Sequence, residues 1–186
     1  AALAPVVAAF RQLKIRHYVG GSVASSFHGA ARSTMDVDLV SELAADQIEA
    51  SVACFDSEFY ISESAIRDAV RRNSFFNLIH LATSFKVDVF VSRQRPFDLE
   101  SMRRATPECL GGRRTVEVPI ATAEDAIISK LEWYRKTNET SERQWDDVSR
   151  LIALLGNTAD LDYLRTAAES VGVSNLLDRL IVHRTD

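Results

Sequence analysis

The segment Asp36-Val37-Asp38-Leu39 constrains this chain more than any other. It lies within residues 35–40 (MDVDLV), a strictly alternating run that predicts a strand. Successive side chains of a strand point to opposite faces, so Asp36 and Asp38 share one face while Val37 and Leu39 enter the core. Two carboxylates about 7 Å apart along one face repel each other unless cations sit between them. Oxygen ligands of this kind suit Mg²⁺, which completes its shell with phosphate and water. Two such ions roughly 3.5–4 Å apart can hold the attacking and leaving oxygens of a phosphoryl transfer.

Separated from Asp36 by thirteen residues stands Val19-Gly20-Gly21-Ser22, a turn that opens a helix candidate. Glycines let the backbone approach a phosphate, the exposed N–H groups favour an anion, and the Ser22 hydroxyl adds a donor. A third acid on a neighbouring strand completes such a site. Lys86-Val87-Asp88-Val89-Phe90 supplies it, with Asp88 on the face opposite to Val87 and Val89. Taken singly, each piece has an ordinary reading: a solvated strand edge, a plain turn, a hydrogen-bonded surface acid. Their ordered combination is far more specific.

The remaining pattern places these pieces. Residues 3–14 carry apolar side chains at helical spacing, and residues 15–19 read as a short strand ending at Gly20-Gly21. A short helix over 22–28 closes at Gly29, and another covers 44–55. Residues 59–61 read as a short strand, and 63–72 as helix or loop. Runs 75–82 and 85–91 read as a hairpin across Thr83-Ser84, although that pair is not a favoured two-residue turn. A last strand is expected over 113–118, after a basic joint at 92–114. From Thr122 the pattern turns helical, with spans near 122–136, 141–155, 159–170 and 174–183. Thr122 with Asp125 and Ser141 with Gln144 resemble capping boxes. This predicts an α/β region over 1–118 and a helical subdomain over 119–186.

Composition excludes several classes. No run approaches eighteen apolar residues, so no membrane span is expected. Cys54 and Cys109 stand far apart, which excludes a disulfide scaffold or a cysteine zinc site. Residues 1–10 lack a basic region and read as a helix start, so a cytoplasmic protein is expected. The net charge of −4 hides an asymmetry: residues 67–114 hold nine arginines and Lys86 against five acids. That basic middle is either a polyanion surface or an ordinary ion-paired one. His17, His28, His80 and His183 show no metal-ligand spacing, and His28 reads as a cap or packing residue. Ser25 and Ser26 lack triad partners. Trp133, Tyr134 and Trp145 stand at helical spacing, which favours core over base stacking.

The phrase GGSVASSFHGAARSTMDVDLV resembles the signature of the DNA polymerase β-like nucleotidyltransferases: hydrophobic-Gly-Gly/Ser, a short gap, then Asp-hydrophobic-Asp. It looks most like the bacterial branch of abortive-infection and type IV toxin–antitoxin nucleotidyltransferases, in which Arg and Thr precede the aspartates, as Arg32 and Thr34 do here. The resemblance covers about residues 15–92, more loosely to 155. It implies a minimal polymerase β-like palm: a mixed, mostly antiparallel five-stranded sheet with helices on one side, followed by a helical subdomain.

The same resemblance implies roles. Asp36 and Asp38 would bind both Mg²⁺ ions, with Mn²⁺ as a substitute. Asp88 would bind the catalytic ion and help deprotonate the acceptor. Gly20, Gly21, Ser22, Arg32 and Thr34 would serve the nucleotide phosphates. Lys130 lies within an apolar stripe of its helix, where a lysine either snorkels outward or points into a cleft. Following Glu124-Asp125, it matches a triphosphate-contacting lysine of related enzymes. Those relatives also carry a lysine after the Arg143 position, which here is replaced, so Asp147 reads as orienting its helix. The implied activity is NMP transfer from an NTP to a tRNA 3′ end, a protein or a small molecule, and the branch implies the toxin of a toxin–antitoxin system, opposed by a cognate antitoxin. RNA would meet the Arg-rich 67–114 region. The alternative is a non-catalytic nucleotide-binding or antitoxin-like module on the same fold.

Overall fold

A computed structural model describes residues 2–30, 36–55, 57–111 and 115–182. Its elements are α1 (Leu3–Gln12), β1 (His17–Val19), α2 (Gly21–Phe27), β2 (Asp36–Ser41), α3 (Ile48–Phe55), β3 (Phe59–Tyr60), α4 (Glu63–Arg72), β4 (Phe75–His80) and β5 (Lys86–Val91). They continue through α5 (Pro96–Arg104), β6 (Thr106–Leu110), β7 (Val116–Ile120), α6 (Ala123–Lys136), α7 (Glu142–Leu155), α8 (Leu161–Ser170) and α9 (Ser174–Val182). Among the described residues, no helix is long and apolar enough to cross a membrane.

The strands form one mixed sheet in the order β3-β4-β5-β2-β1-β7-β6. Two neighbouring pairs, β1·β7 and β2·β5, are parallel and the others antiparallel. The α/β class and the mostly antiparallel sheet agree with expectation. The strand number does not: the sheet has seven strands instead of five, because β3 and β6 extend its two edges.

One face of the sheet is apolar. Val37 and Leu39 of β2, Phe76 and Leu78 of β4, and Val87 and Val89 of β5 pack with Val6 and Phe10 of α1, Ile48 and Phe55 of α3, and Ile66 of α4. The helices are not confined to that side, however. α2 and α6 lie against part of the opposite, acid-bearing face, where Trp133 of α6 meets Phe90 of β5. A second apolar cluster joins α6, α7, α8 and α9 to Ala30 and to Phe97 of α5.

Several local expectations hold for visible reasons. Thr122 and Ser141 accept hydrogen bonds from the amides of Asp125 and Gln144, so both predicted caps are present. Residues 63–72 are helical, started by Ser62 and ended by Asn73 in the left-handed region. Others needed correction. The expected two-residue hairpin at Thr83-Ser84 is a longer loop over 81–85: a type I′ turn needs positive φ at both central residues, and Ser84 takes it, at φ 56°, while Thr83 does not. The basic joint contains α5 and β6. α5 begins with Pro96 in its first turn, and the Arg95 amide donates to Asp98 at 3.1 Å. The last palm strand runs later than expected, from Val116 through Pro119, which pairs with Pro107 beside the sheet edge.

Candidate active site

The acid cluster is built by register. β2 and β5 run parallel, with Asp36 beside Lys86 and Asp38 beside Asp88. Neighbouring strands stand about 4.8 Å apart, so the three carboxylates share a small area of one face. The Gly20 amide donates to the Asp38 carbonyl at 2.9 Å, which locks the β1–α2 turn onto β2.

Gly21 is required there. Its φ of +55° is in the left-handed region, and a Cβ would lie 1.6 Å from Asp38 Oδ2. The turn therefore lies directly on the Asp38 carboxylate, which accepts a hydrogen bond from the Ser22 amide. Ser25 Oγ donates to the Gly21 carbonyl at 3.0 Å and holds the first turn of α2.

Asp38 titrates at about 6, well above its ordinary 3.8. Burial is the main cause, followed by the charges of Asp36 and Asp88. The Lys130 ammonium and the Ser22 amide oppose the rise. Such crowding is the electrostatic signature of carboxylates short of cations.

Asp88 is buried and both of its oxygens are engaged. Asn77, its cross-strand partner on β4, donates through Nδ2 to Oδ1. The Lys86 ammonium lies 2.9 Å from Oδ2 and its own pKa is raised, chiefly by that hydrogen bond. Lys86 thus supplies an internal cation to the cluster. Among the described residues, no three His, Cys, Asp or Glu side chains stand ready as a metal centre. The donor chemistry nevertheless fits a hard divalent ion: carboxylates on one face, one of them held far above its usual pKa. Asp36 and Asp38 would hold the ion, and Asp88 would join them on leaving Lys86.

Lys130 neither snorkels nor stands free. It is buried, with Nζ 2.8 Å from Asp147 Oδ2 and 3.3 Å from Gln144 Oε1, both on α7. Its charge still reaches Asp38. Arg143 is exposed. His28 packs as expected, its Nε2 meeting the Ala121 carbonyl at 2.7 Å. Arg32 and Thr34 lie outside the described residues. The contacts of Lys86 and Asn77 with Asp88, and of Gln144 with Lys130, were not part of the sequence reading, although Lys86 and Asp88 are two apart on an alternating strand and must share a face.

The basic middle is largely ion-paired. Arg67, Arg71, Arg72, Arg93, Arg95, Arg103 and Arg104 each pair with a carboxylate, among them Glu63, Asp68, Glu132, Asp98, Glu100 and Asp125. The surplus counted from sequence is therefore not a bare basic surface; Arg113 and Arg114 lie outside the described residues.

The chain matches no protein-family model and no curated protein. Solved structures do match it. An antigenic nucleotidyltransferase-like protein from Paracoccidioides brasiliensis aligns over 96% of this chain and 90% of its own, with TM-score 0.53 and 19% identity. The antibiotic-resistance factor ANT(2'')-Ia aligns over 97% of this chain and 95% of its own, with TM-score 0.52 and 12% identity. The fold is that of the nucleotidyltransferases. A crystal structure of ANT(2'')-Ia in complex with adenylyl-2''-tobramycin gives the same TM-score of 0.52 over 91% of this chain. At these identities the nucleotidyltransferase fold is common ground, and the chemistry rests on this chain's own residues.

Proposed function

We propose that this protein is a divalent-metal-dependent nucleotidyltransferase that moves a nucleoside monophosphate from an NTP to an acceptor hydroxyl. The observation that carries this reading is the placement of Asp36, Asp38 and Asp88 on one face of adjoining, in-register strands, with Gly21 seated against Asp38. The acceptor oxygen forms a bond to the α-phosphorus, the bond from that phosphorus to the bridging oxygen breaks, and pyrophosphate leaves. Asp88, across from Asp38, receives the acceptor proton. The Gly20–Ser22 turn, which leaves no room for a side chain above Asp38, takes the leaving phosphates through the Gly21 amide and the Ser22 hydroxyl, its other two amides being held by Asp38.

Mg²⁺, or Mn²⁺ in its place, would supply the positive charge that the transferring phosphate and the clustered carboxylates need. Asp36 and Asp38 would hold it on the sheet face they share. Lys130, fixed by Asp147 and Gln144, adds a buried positive charge to the same region. As the toxin of a toxin–antitoxin pair, the protein would halt growth when expressed alone, and Asp36→Asn would relieve that arrest.

Thermal shift with each NTP, with and without Mg²⁺, tests the reading. Wild-type protein is expected to melt higher with MgATP or another Mg·NTP, and an Asp36→Ala/Asp38→Ala variant is not. A melting point indifferent to every Mg·NTP in both proteins contradicts it.

A further inference from the structure

β1 ends at the Gly20–Ser22 turn, and its other end borders a cavity that has no part in the transfer reading. The cavity lies beside His17, the first residue of the strand, about 10 Å along the chain from Gly20. It has a volume of about 260 Å³ and opens between the C-terminal turns of α1 and α5 and the strands β1 and β7. Its walls divide by chemistry. Ile15 and Met102 are buried and, with Pro119 of β7, supply an apolar floor. Arg11, Arg16, His17 and Glu117 supply the polar groups.

The fold does not use up the two arginines. Their side chains are 50% and 57% exposed. Arg11 donates to the Glu117 carbonyl at 2.6 Å, which holds it at the cavity, while the Glu117 carboxylate is 3.5 Å away. Arg16 meets Glu42 at 3.4 Å. Exposed ion pairs of this length contribute little. Each guanidinium therefore keeps donors in a planar fork that matches a carboxylate.

His17 is the buried polar member, 7% exposed, with Nδ1 2.8 Å from the Ile15 carbonyl. A carbonyl only accepts, so Nδ1 carries the proton and Nε2 is left as an acceptor. Burial lowers the imidazole pKa; Arg11 adds to that and the Ile15 carbonyl opposes it, so the ring is neutral at pH 7. Among the described residues, Nε2 has no hydrogen-bond partner. Packing does not call for an imidazole here. The ring meets Phe10 edge-on, a contact that a phenyl would make as well without burying an unpaired acceptor.

We propose that this cavity is a second ligand site, which binds a small aliphatic carboxylate bearing a hydroxyl on the adjoining carbon. The carboxylate meets Arg11 and Arg16, the aliphatic body covers Ile15, Met102 and Pro119, and the hydroxyl donates to His17 Nε2. The volume is just under the roughly 300–1,000 Å³ of drug-sized pockets, which limits the ligand to a small one. Glu117 at the same cavity repels a second negative charge, which favours a monocarboxylate over a dicarboxylate or a phosphate ester. The site is independent of the transfer reading.

Calorimetric titration of the full chain tests the proposal with lactate, 2-hydroxyisovalerate and 2-hydroxyisocaproate, against isovalerate, isocaproate and inorganic phosphate. At least one hydroxy acid is expected to bind saturably, its deoxy analogue more weakly, and phosphate more weakly still. Arg11→Gln and Arg16→Gln are each expected to weaken that binding about 10- to 150-fold, the loss of a charged hydrogen bond. Both side chains are largely exposed, so these variants keep the fold. His17→Phe is expected to weaken the hydroxy acid about 2- to 10-fold and to leave the deoxy analogue unchanged. All three variants keep the Mg·NTP thermal shift, since none of these side chains belongs to the phosphate turn or the acid cluster. The proposal is overturned if no hydroxy acid binds, or if phosphate or the deoxy analogue binds as tightly. It is also overturned if the arginine variants bind as wild type, or if His17→Phe keeps the preference for the hydroxyl. Loss of the Mg·NTP shift in wild-type protein overturns the transfer reading and leaves this site untouched.

Discussion

Replacing Asp38 by Asn should stabilise the ligand-free protein at neutral pH while ending its activity. Asp38 is raised from 3.8 to about 6 by burial and by the charges of Asp36 and Asp88, net of relief from Lys130 and Ser22. Its folded-state affinity for a proton therefore exceeds the unfolded one. Wild-type stability from this group is greatest below about pH 4, falls as pH rises toward about 6, and is level above that. The two-unit rise corresponds to about 3 kcal/mol. For a chain of this size, that is roughly 6–12 °C in Tm. Asn removes the charge yet keeps an oxygen to accept from the Ser22 amide. The assay is a set of thermal melts at several pH values without divalent ions. The variant should melt with wild type near pH 4 and well above it at pH 7. Equal melts at pH 7, or a difference independent of pH, would refute the argument that Asp38 is an uncompensated carboxylate.

Other substitutions probe the neighbouring supports. Gly21→Ala should lower Tm and abolish the Mg·NTP shift, since the new Cβ would strike Asp38 and the left-handed backbone alone costs about 1–2 kcal/mol; an unchanged melt and shift would argue against the close approach. Lys130→Met leaves Asp147 buried beside Met and should cost about 3–5 kcal/mol in urea unfolding, much of it recovered in Lys130→Met/Asp147→Leu. Asp125→Ala should cost about 3 kcal/mol, because the 1%-exposed carboxylate accepts from Thr122 and Tyr163 and pairs with Arg104, linking α5, α6 and α8. Urea titration of the two proteins measures that loss.

The parts of the site legible in the sequence are those governed by local rules. Asp36, Asp38 and Asp88 could be placed because strand alternation with apolar neighbours assigns a face, and Gly20-Gly21 because a turn at a strand end needs it. Thr122 and Ser141 announced their helices through caps that depend only on the next three residues. β6 left no such trace: TPECL is a mostly exposed edge strand, so nothing in it alternates toward a core. α5 hid in a polar, arginine-rich stretch, although Pro96 and Asp98 are ordinary helix-start residues. Lys130 was ambiguous because its environment is supplied by α7, across the helix pair. The net charge of the 67–114 region misled for a similar reason. Some of its arginines pair at short range, but Arg93, Arg95 and Arg104 find Glu132, Glu124 and Asp125 on α6. Trp133 read as core by helical spacing, and only the tertiary arrangement leaves it half exposed beside Phe90.

The most direct test is label transfer. Wild-type protein, Asp36→Asn and Asp88→Asn are incubated with each α-³²P-labelled NTP, Mg²⁺ and either total RNA or lysate. The account predicts that wild type moves label from one or more NTPs to an acceptor with stoichiometric pyrophosphate release, and that both variants do not. Pyrophosphate release and labelling that persist in Asp36→Asn and Asp88→Asn, or that never occur with wild type despite NTP binding, would contradict it.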